Sequence, residues 1–356
     1  MCALDLFRHG DRHRGVVGLG RHRPGDRHAD DTGFGHVLSP VLPRDGAYSS
    51  SPPAPSSPDR TGRVPQRHPN RLLDRPGARA RQSRHTTSGG SPMAALPQAA
   101  DFLEESQTLY AAIAPLSDAD LRQPTQFKGW TIDDVLVHLH FWNKAADLST
   151  TDEAAFTALM GQLMGSLQSG GLRAFENAQI PERGTELRDL WIAHARDMAA
   201  RWADMDPRRR LPWAGPSMSA RSSITARQME TWAHGFEVFD ALGLRRQETD
   251  RIQNIVVLGV NTFGWSHKVH GLPVPDTLPS LRLTAPSGAL WIFGDDAGAI
   301  TGPAVDFAAV VTQTRALADT ALRVEGEIAR TWMENAQCFA GPPETPPAPG
   351  TRTVAG

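Results

Sequence analysis

The chain is short of cysteine: it has two in 356 residues, Cys2 and Cys338, at opposite ends. That excludes a disulfide framework and a CxxC metal knuckle, and it makes a reducing cytoplasm the expected compartment. Long hydrophobic runs are also missing. The longest aliphatic stretch is Ile255–Val260, with Gly259 inside it, whereas a bilayer-spanning helix needs ~20 apolar residues. The first ten residues carry Asp5 and Arg8, which leaves no uninterrupted apolar segment of a secretory signal. No membrane partner is expected.

Residues 1–92 lack lysine, glutamate and tryptophan altogether. They hold 15 Arg, 8 Asp and 7 of the 13 His, a balance of +7, which leaves 22 basic and 31 acidic side chains, a balance of −9, for residues 93–356. Segments such as SSSPPAPSSPDRTGRVP offer neither a helical nor a strand period, so residues 1–92 are expected to be a disordered leader without a packed core. Arg, Pro, Ser, His and Gly without Lys or Glu is the mixture that GC-rich DNA gives when read out of frame. Met93 is therefore the expected native start, ahead of a genuine disordered tail or a basic nucleic-acid arm. The seven histidines are scattered and do not read as a metal site.

From Pro97 the pattern is helical. A first helix carries Phe102, Leu103, Leu109 and Ile113, and a short one spans Ser117–Arg122. Thr131, with Asp134 three residues on, is a capping box that opens a helix running to about Leu148. Further helices are expected over Asp152–Leu167, from Thr185 as N-cap to Met205, over Ile224–Leu242 with Gly243 as stop, and over Thr249–Val269. After the Pro-rich segment near 271–275 the period changes. SLRLTAP and ALWIFG flank Pro286-Ser-Gly and predict a β-hairpin, with Ile300 and Ala321–Val324 in further strands. Pro303–Arg315 and Glu327–Phe339 are expected helices. The organisation expected is a helical bundle over 96–272, a small α+β domain over 279–340 and a disordered tail over 341–356.

Glu230 and His234 stand at i and i+4, on one face of one helix, and His138 lies in the middle of another. A pair from one helix and a single ligand from a second can converge inside an antiparallel bundle. Such a His₂Glu set leaves a fourth position open, as in catalytic rather than structural zinc sites. Spacing alone fits a hydrogen-bonded face equally well, and His138 alone fits a satisfied buried imidazole. His140 points about 200° away from His138 around the helix and cannot share its site. His267 and His270 read as caps of a helix end, and His194 as surface.

The segment Gly129-Trp-Thr-Ile-Asp-Asp-Val-Leu-Val-His138-Leu resembles the GWT-x-x-D-V-x-x-HL signature of the DinB-like metal-binding superfamily. Arg227-Gln-Met-Glu230-Thr-Trp-Ala-His234-Gly-Phe-Glu237-Val-Phe-Asp240-Ala-Leu-Gly resembles that superfamily's second motif. Within it the chain is most similar to the mycothiol-dependent maleylpyruvate isomerase group, over about residues 96–340. The closing segments resemble a subgroup of which some members are labelled for wyosine base formation. The acidic body and the lack of an iron–sulfur cysteine cluster argue against that label and against a nucleic-acid partner. The resemblance implies an all-α DinB-like bundle followed by a C-terminal domain similar in outline to sterol-carrier-like folds. It implies His138, Glu230 and His234 as ligands of a divalent metal, usually zinc, with mycothiol as cosubstrate. Asp134, Glu237 and Asp240 would orient the ligand imidazoles; Glu237 stands where the family often has Asp.

A metal so held would keep a thiol as thiolate for attack on a small electrophile, so the expected activity is metal-dependent thiol transfer or isomerisation. The alternative is a non-enzymatic, metal-stabilised binder of a small molecule or lipid, with Trp265, Trp291, Phe293 and Phe307 lining a pocket.

Overall fold

A computed structural model of the protein describes residues 96–167, 171–294, 298–339 and 341–353. The leader expected over 1–92 lies outside them. Eleven α-helices hold more than half of the described residues: α1 Pro97–Ile113, α2 Asp118–Leu121, α3 Ile132–Thr151, α4 Glu153–Ser166, α5 Gly171–Gln179, α6 Gly184–Trp202, α7 Ala220–Ala241, α8 Gln253–Asn261, α9 Phe263–Val269, α10 Ala304–Val311 and α11 Glu327–Glu334. None of the described helices is long and apolar enough to cross a membrane.

Local chemistry sets the ends of the helices that matter most. Thr131 and Asp134 form the expected capping box, the hydroxyl accepting from Asp134 N and the carboxylate accepting from Thr131 N. They fix the first turn of α3. Ser219 caps α7 through Ser222 N, and Gly243, at φ 66°, ends it. That helix starts four residues before the expected Ile224, because Arg221, Ser222 and Ser223 continue the turn once Ser219 has capped it. The helix expected from Thr185 begins at Gly184 with Arg183 at its cap, and the Thr185 amide donates to Asp118 instead.

Two apolar clusters meet along α7. One joins α1, α3, α4 and α6 through residues such as Leu109, Leu136, Trp142, Trp191 and Trp202, with Ile224 and Val238 from α7. The other takes Met229, Trp232 and Ala233 from α7 and packs them with Ile255, Phe307 and Trp332. A helix covered on all sides can hold polar side chains out of water, and α7 buries Glu230, His234, Glu237 and Asp240.

The C-terminal sheet has the order β4–β3–β5–β6, where β3 is Leu281–Thr284, β4 Leu290–Phe293, β5 Ile300–Pro303 and β6 Arg323–Val324. Strands β3 and β4 form the predicted hairpin, β3 pairs parallel with β5, and β5 antiparallel with β6. A small hairpin of β1 (Arg210–Leu211) and β2 (Met218–Ser219) precedes α7. The mostly helical chain with a small C-terminal sheet matches the coarse expectation, and several details differ. The single helix expected over Thr249–Val269 breaks at Thr262, whose hydroxyl donates to the carbonyls of Leu258 and Gly259 and competes with the helical ladder. Gly259 lies so close to Val311 and Phe307 that an added Cβ would sit 2.8 Å and 3.0 Å from their side chains, so its lack of a side chain lets α8 approach α10. The two last helices end earlier than expected, at Val311 and Glu334.

Of the tail expected over 341–356, residues 341–353 are described. Residues 341–353 lie against the body: Glu344 pairs with Lys128, Thr353 exchanges two hydrogen bonds with Gln126, and Arg352 reaches Glu237. A Pro-rich stretch makes no internal ladder. These contacts come from individual side chains, which composition does not reveal.

Candidate metal centre

His138 projects from the middle of α3, and Glu230 and His234 from the middle of α7. The helices cross so that one ligand atom from each residue lies within 4.8 Å of the others. Glu230 Oε2 is 3.6 Å from both His138 Nε2 and His234 Nε2. Two atoms bound to one zinc at tetrahedral angles stand roughly 3.4 Å apart, given bond lengths near 2.0–2.1 Å. The spacing suits shared coordination better than a direct hydrogen bond, and all three side chains are at most 3% exposed.

Behind His138 stands Glu176, a residue the sequence patterns did not single out. It comes from α5, which was not expected, and its carboxylate accepts from His138 Nδ1 at 2.9 Å and from Trp142 Nε1 at 2.7 Å. With Nδ1 turned to Glu176, Nε2 is the ring atom that faces Glu230. An imidazole held by a carboxylate in this way is the usual arrangement behind a metal-binding histidine. Burial disfavours the imidazolium of His138, but Glu176 and then Glu230 outweigh it and lift the group to about 9. His234 moves the other way, because burial dominates there. Replacing Glu176 by Gln is expected to weaken metal binding about 10–100-fold while the fold is kept; competition against a chelator measures it, and an unchanged affinity would remove Glu176 from the site.

The loop before α3 covers the other imidazole. Lys128 and Gly129 both take positive φ, 48° and 69°, and turn the chain so that Trp130 lies flat on His234, rings 5.6 Å apart and 5° from parallel. Phe127 meets the same imidazole edge-on at 5.2 Å. The GWT motif thus has a physical reading: the glycine makes the turn that places the indole.

The three carboxylates expected to orient the histidines are engaged with arginines. Asp134 pairs with Arg173 besides capping α3, Glu237 with Arg352, and Asp240 with Arg315 through both oxygens at 2.7 and 2.8 Å. His140 faces away, as the helical geometry requires, and packs edge-on against a half-buried His194. His267 is buried, with Nδ1 2.9 Å from the Phe263 carbonyl inside its own helix. Of the aromatics offered for an apolar pocket, Phe307 is packed against Trp332, and Trp265 donates to the Phe339 carbonyl.

Glu237 yields a pH prediction. Burial raises its carboxyl from 4.5 to about 7, against Arg352. The unfolded chain loses this proton first, so the folded state is favoured below pH 4.5 and that advantage is lost as pH rises to 7. The loss is on the order of 3 kcal/mol. Urea unfolding of Glu237→Gln at pH 5 and pH 8 should lack that fall; the same slope as the wild type would show that another group carries it.

Residues 102–239 match the family model of the mycothiol maleylpyruvate isomerase N-terminal domain. Two uncharacterized proteins of Mycobacterium tuberculosis, Rv0036c of strain H37Rv and its counterpart in strain CDC 1551, are each 38% identical over 249 residues, spanning 69% of this chain and 96% of theirs. Crystal structures of the mycothiol-dependent maleylpyruvate isomerase and of a point mutant of it align over 63% of this chain and 91% of theirs, at 15% and 16% identity and TM-scores of 0.38 and 0.41. With the first signature motif and all but the last four residues of the second lying inside the matched region, the chain belongs to the family that shares the mycothiol maleylpyruvate isomerase N-terminal domain.

Proposed function

We propose that this protein is a metal-dependent thiol enzyme, in which His138, Glu230 and His234 hold a divalent cation, zinc by preference, and mycothiol serves as cosubstrate for S-transfer to, or isomerisation of, a small electrophile. The observation that carries the reading is the convergence of two imidazoles and one carboxylate, from helices far apart in sequence, at a buried point. The donor set fits zinc: nitrogen and oxygen atoms, three in number, with a coordination position left for an exchangeable ligand. When bound, such an ion supplies Lewis acidity that lowers the pKa of a coordinated thiol.

The chain's own residues do the rest. Glu176 keeps the His138 proton on Nδ1, and Trp130 and Phe127 screen His234 from water. A thiol from outside is needed because Cys338 is fully buried, and burial pushes its thiol well above the ordinary value. Among the described residues it is the one cysteine, so no thiolate is offered there by the chain itself.

The test is spectroscopic. The full chain is loaded with cobalt(II), and mycothiol is titrated while the ligand-field and thiolate-to-metal bands are followed. A new charge-transfer band that saturates at one thiol per metal is expected. Tight metal binding with no change on adding thiol would overturn the thiol reading.

A further inference from the structure

The triad is at most 3% exposed, so whatever enters or leaves the metal position must pass a cover that opens. Over His234 that cover is the 125–130 loop, and its two halves are fastened differently. The Trp130 half is built into the body. Arg173 pairs with Asp134 and lies over the Trp130 ring at 5.3 Å, and the Thr125 amide donates to the Trp130 carbonyl at 2.6 Å. The half that carries Phe127 is held from outside, by the last described residues of the chain. Arg352 lies over the Phe127 ring at 5.2 Å, Gln126 exchanges two hydrogen bonds of 2.9 Å with the Thr353 backbone, and Lys128 pairs with Glu344.

Residues 341–353 have the make-up of a strap. Each of them is exposed or half-buried, whereas Phe127 and Glu237 beneath them are buried. The near end is anchored by two buried amides. Gln337 Oε1 accepts from Glu344 N at 3.0 Å and Gln337 Nε2 donates to the Pro342 carbonyl at 3.1 Å, while Gln313 Nε2 donates to the Glu344 carbonyl at 3.2 Å. Gln313 takes the left-handed backbone, at φ 57°, which is uncommon for a residue with a side chain, and its own carbonyl accepts from Arg352 Nη1 at 2.8 Å. The far end rests on individual polar contacts: Gly350 N on the Asp319 carboxylate, Thr353 on Gln126 and Arg352 on Glu237. Lifting residues 345–353 breaks these contacts but takes no side chain out of a core, and segments of that kind open at far lower cost than the helices beneath them.

We propose that residues 345–353 gate the metal centre. Closed, the strap holds Phe127 edge-on against His234. Swung out about the 342–344 anchor, it releases the 126–128 half of the loop and uncovers His234 on that side. Arg352 is the positioning residue of the closed state, because one guanidinium ties Glu237, three residues beyond His234 on α7, to the Gln313 carbonyl and the Phe127 ring. The inference rests on the thiol-enzyme reading only for what passes the gate, the metal and a thiol.

Zinc exchange kinetics of the full chain test this. Gln126 is exposed, and Gln126→Ala removes both of its bonds to Thr353 without touching the body. Release of zinc to a chelator and uptake of zinc by stripped protein should each become roughly tenfold faster, the effect of two lost hydrogen bonds on an opening equilibrium, with the dissociation constant unchanged. Arg352→Ala should accelerate both steps by more, again equally. Amide hydrogen exchange on chelator-stripped protein gives a second reading that needs no metal. The Trp130 amide donates to the Phe127 carbonyl at 2.8 Å, so it should exchange faster in both variants, while the amides of α3 and α7 keep their wild-type protection. Wild-type rates of release and uptake in the variants would overturn the proposal, as would an unchanged Trp130 amide. So would faster release with slower uptake, a loss of affinity that makes the strap part of the scaffold. If the wild type takes up no zinc, the metal reading fails by itself, and the Trp130 amide still decides whether the strap controls the cover of His234.

Discussion

His138→Ala and Glu230→Ala are each expected to abolish stoichiometric metal binding. Elemental analysis of the purified full chain should find about one equivalent of zinc in the wild type and next to none in either variant. Three protein ligands are the minimum of a catalytic zinc site, so deletion of one leaves a two-ligand site that cannot compete with buffer. The control is built into the same helix. His140 is buried two residues on, but it faces His194, so His140→Ala should keep its zinc. Removing His138 also leaves Glu176 with Trp142 as its remaining bonded partner, so circular dichroism must show that helix content is retained. Metal that binds the native state alone raises its stability by linkage. A chelator should therefore lower the wild-type melting temperature and leave that of Glu230→Ala unmoved. Zinc retained in both variants, or absent from the wild type after exposure to it, would sink the metal reading.

What could be read from the sequence was local chemistry and the spacing of side chains on helices. The Thr131–Asp134 box, the Gly243 stop and the Pro286-Ser-Gly hairpin each depend on a few neighbouring residues, and each stands where it was expected. Glu230 and His234 were legible as a pair because four residues make one turn. Their meeting with His138 was not, since helix spacing says nothing about which helices cross; there the resemblance of the two motifs supplied the expectation. Glu176 carried no local signal. It lies in a nine-residue helix among Leu172, Phe175 and polar neighbours, and only the packing of α5 against α3 gives its carboxylate a purpose. The contacts of residues 341–353 carry no local signal for a related reason: GPPETPPAPG has no period, yet Glu344 and Arg352 find partners on the body. Composition reports on elements that hold themselves together, and this segment is held by other parts of the chain.

Glu105→Leu is expected to cost about 3–5 kcal/mol of stability, the range for breaking a buried ion pair by removing one partner. Glu105 lies on α1 and is fully buried. It pairs with Arg246 and, at 2.8 Å, with Arg251, both beyond the end of α7. Arg246 also donates to the Trp232 carbonyl at 2.8 Å, and its guanidinium lies over Trp232 and Phe236. Burial lowers Arg246 to about 10, with Glu248 opposing the shift. The Glu105 carboxylate is thus what allows two arginines to sit inside, and it clamps α1 to α7, the helix that carries two of the three ligands. Arg246→Met alone should cost less, because Glu105 keeps Arg251. The double variant should cost less than the sum of the two, since one of the two charges that Glu105→Leu strands, that of Arg246, is itself gone. Urea unfolding of the four proteins of this cycle measures the coupling. A loss under about 1 kcal/mol in Glu105→Leu would mean that the network behaves as a solvated surface pair, and that apolar packing alone sets how α7 presents Glu230 and His234 to α3.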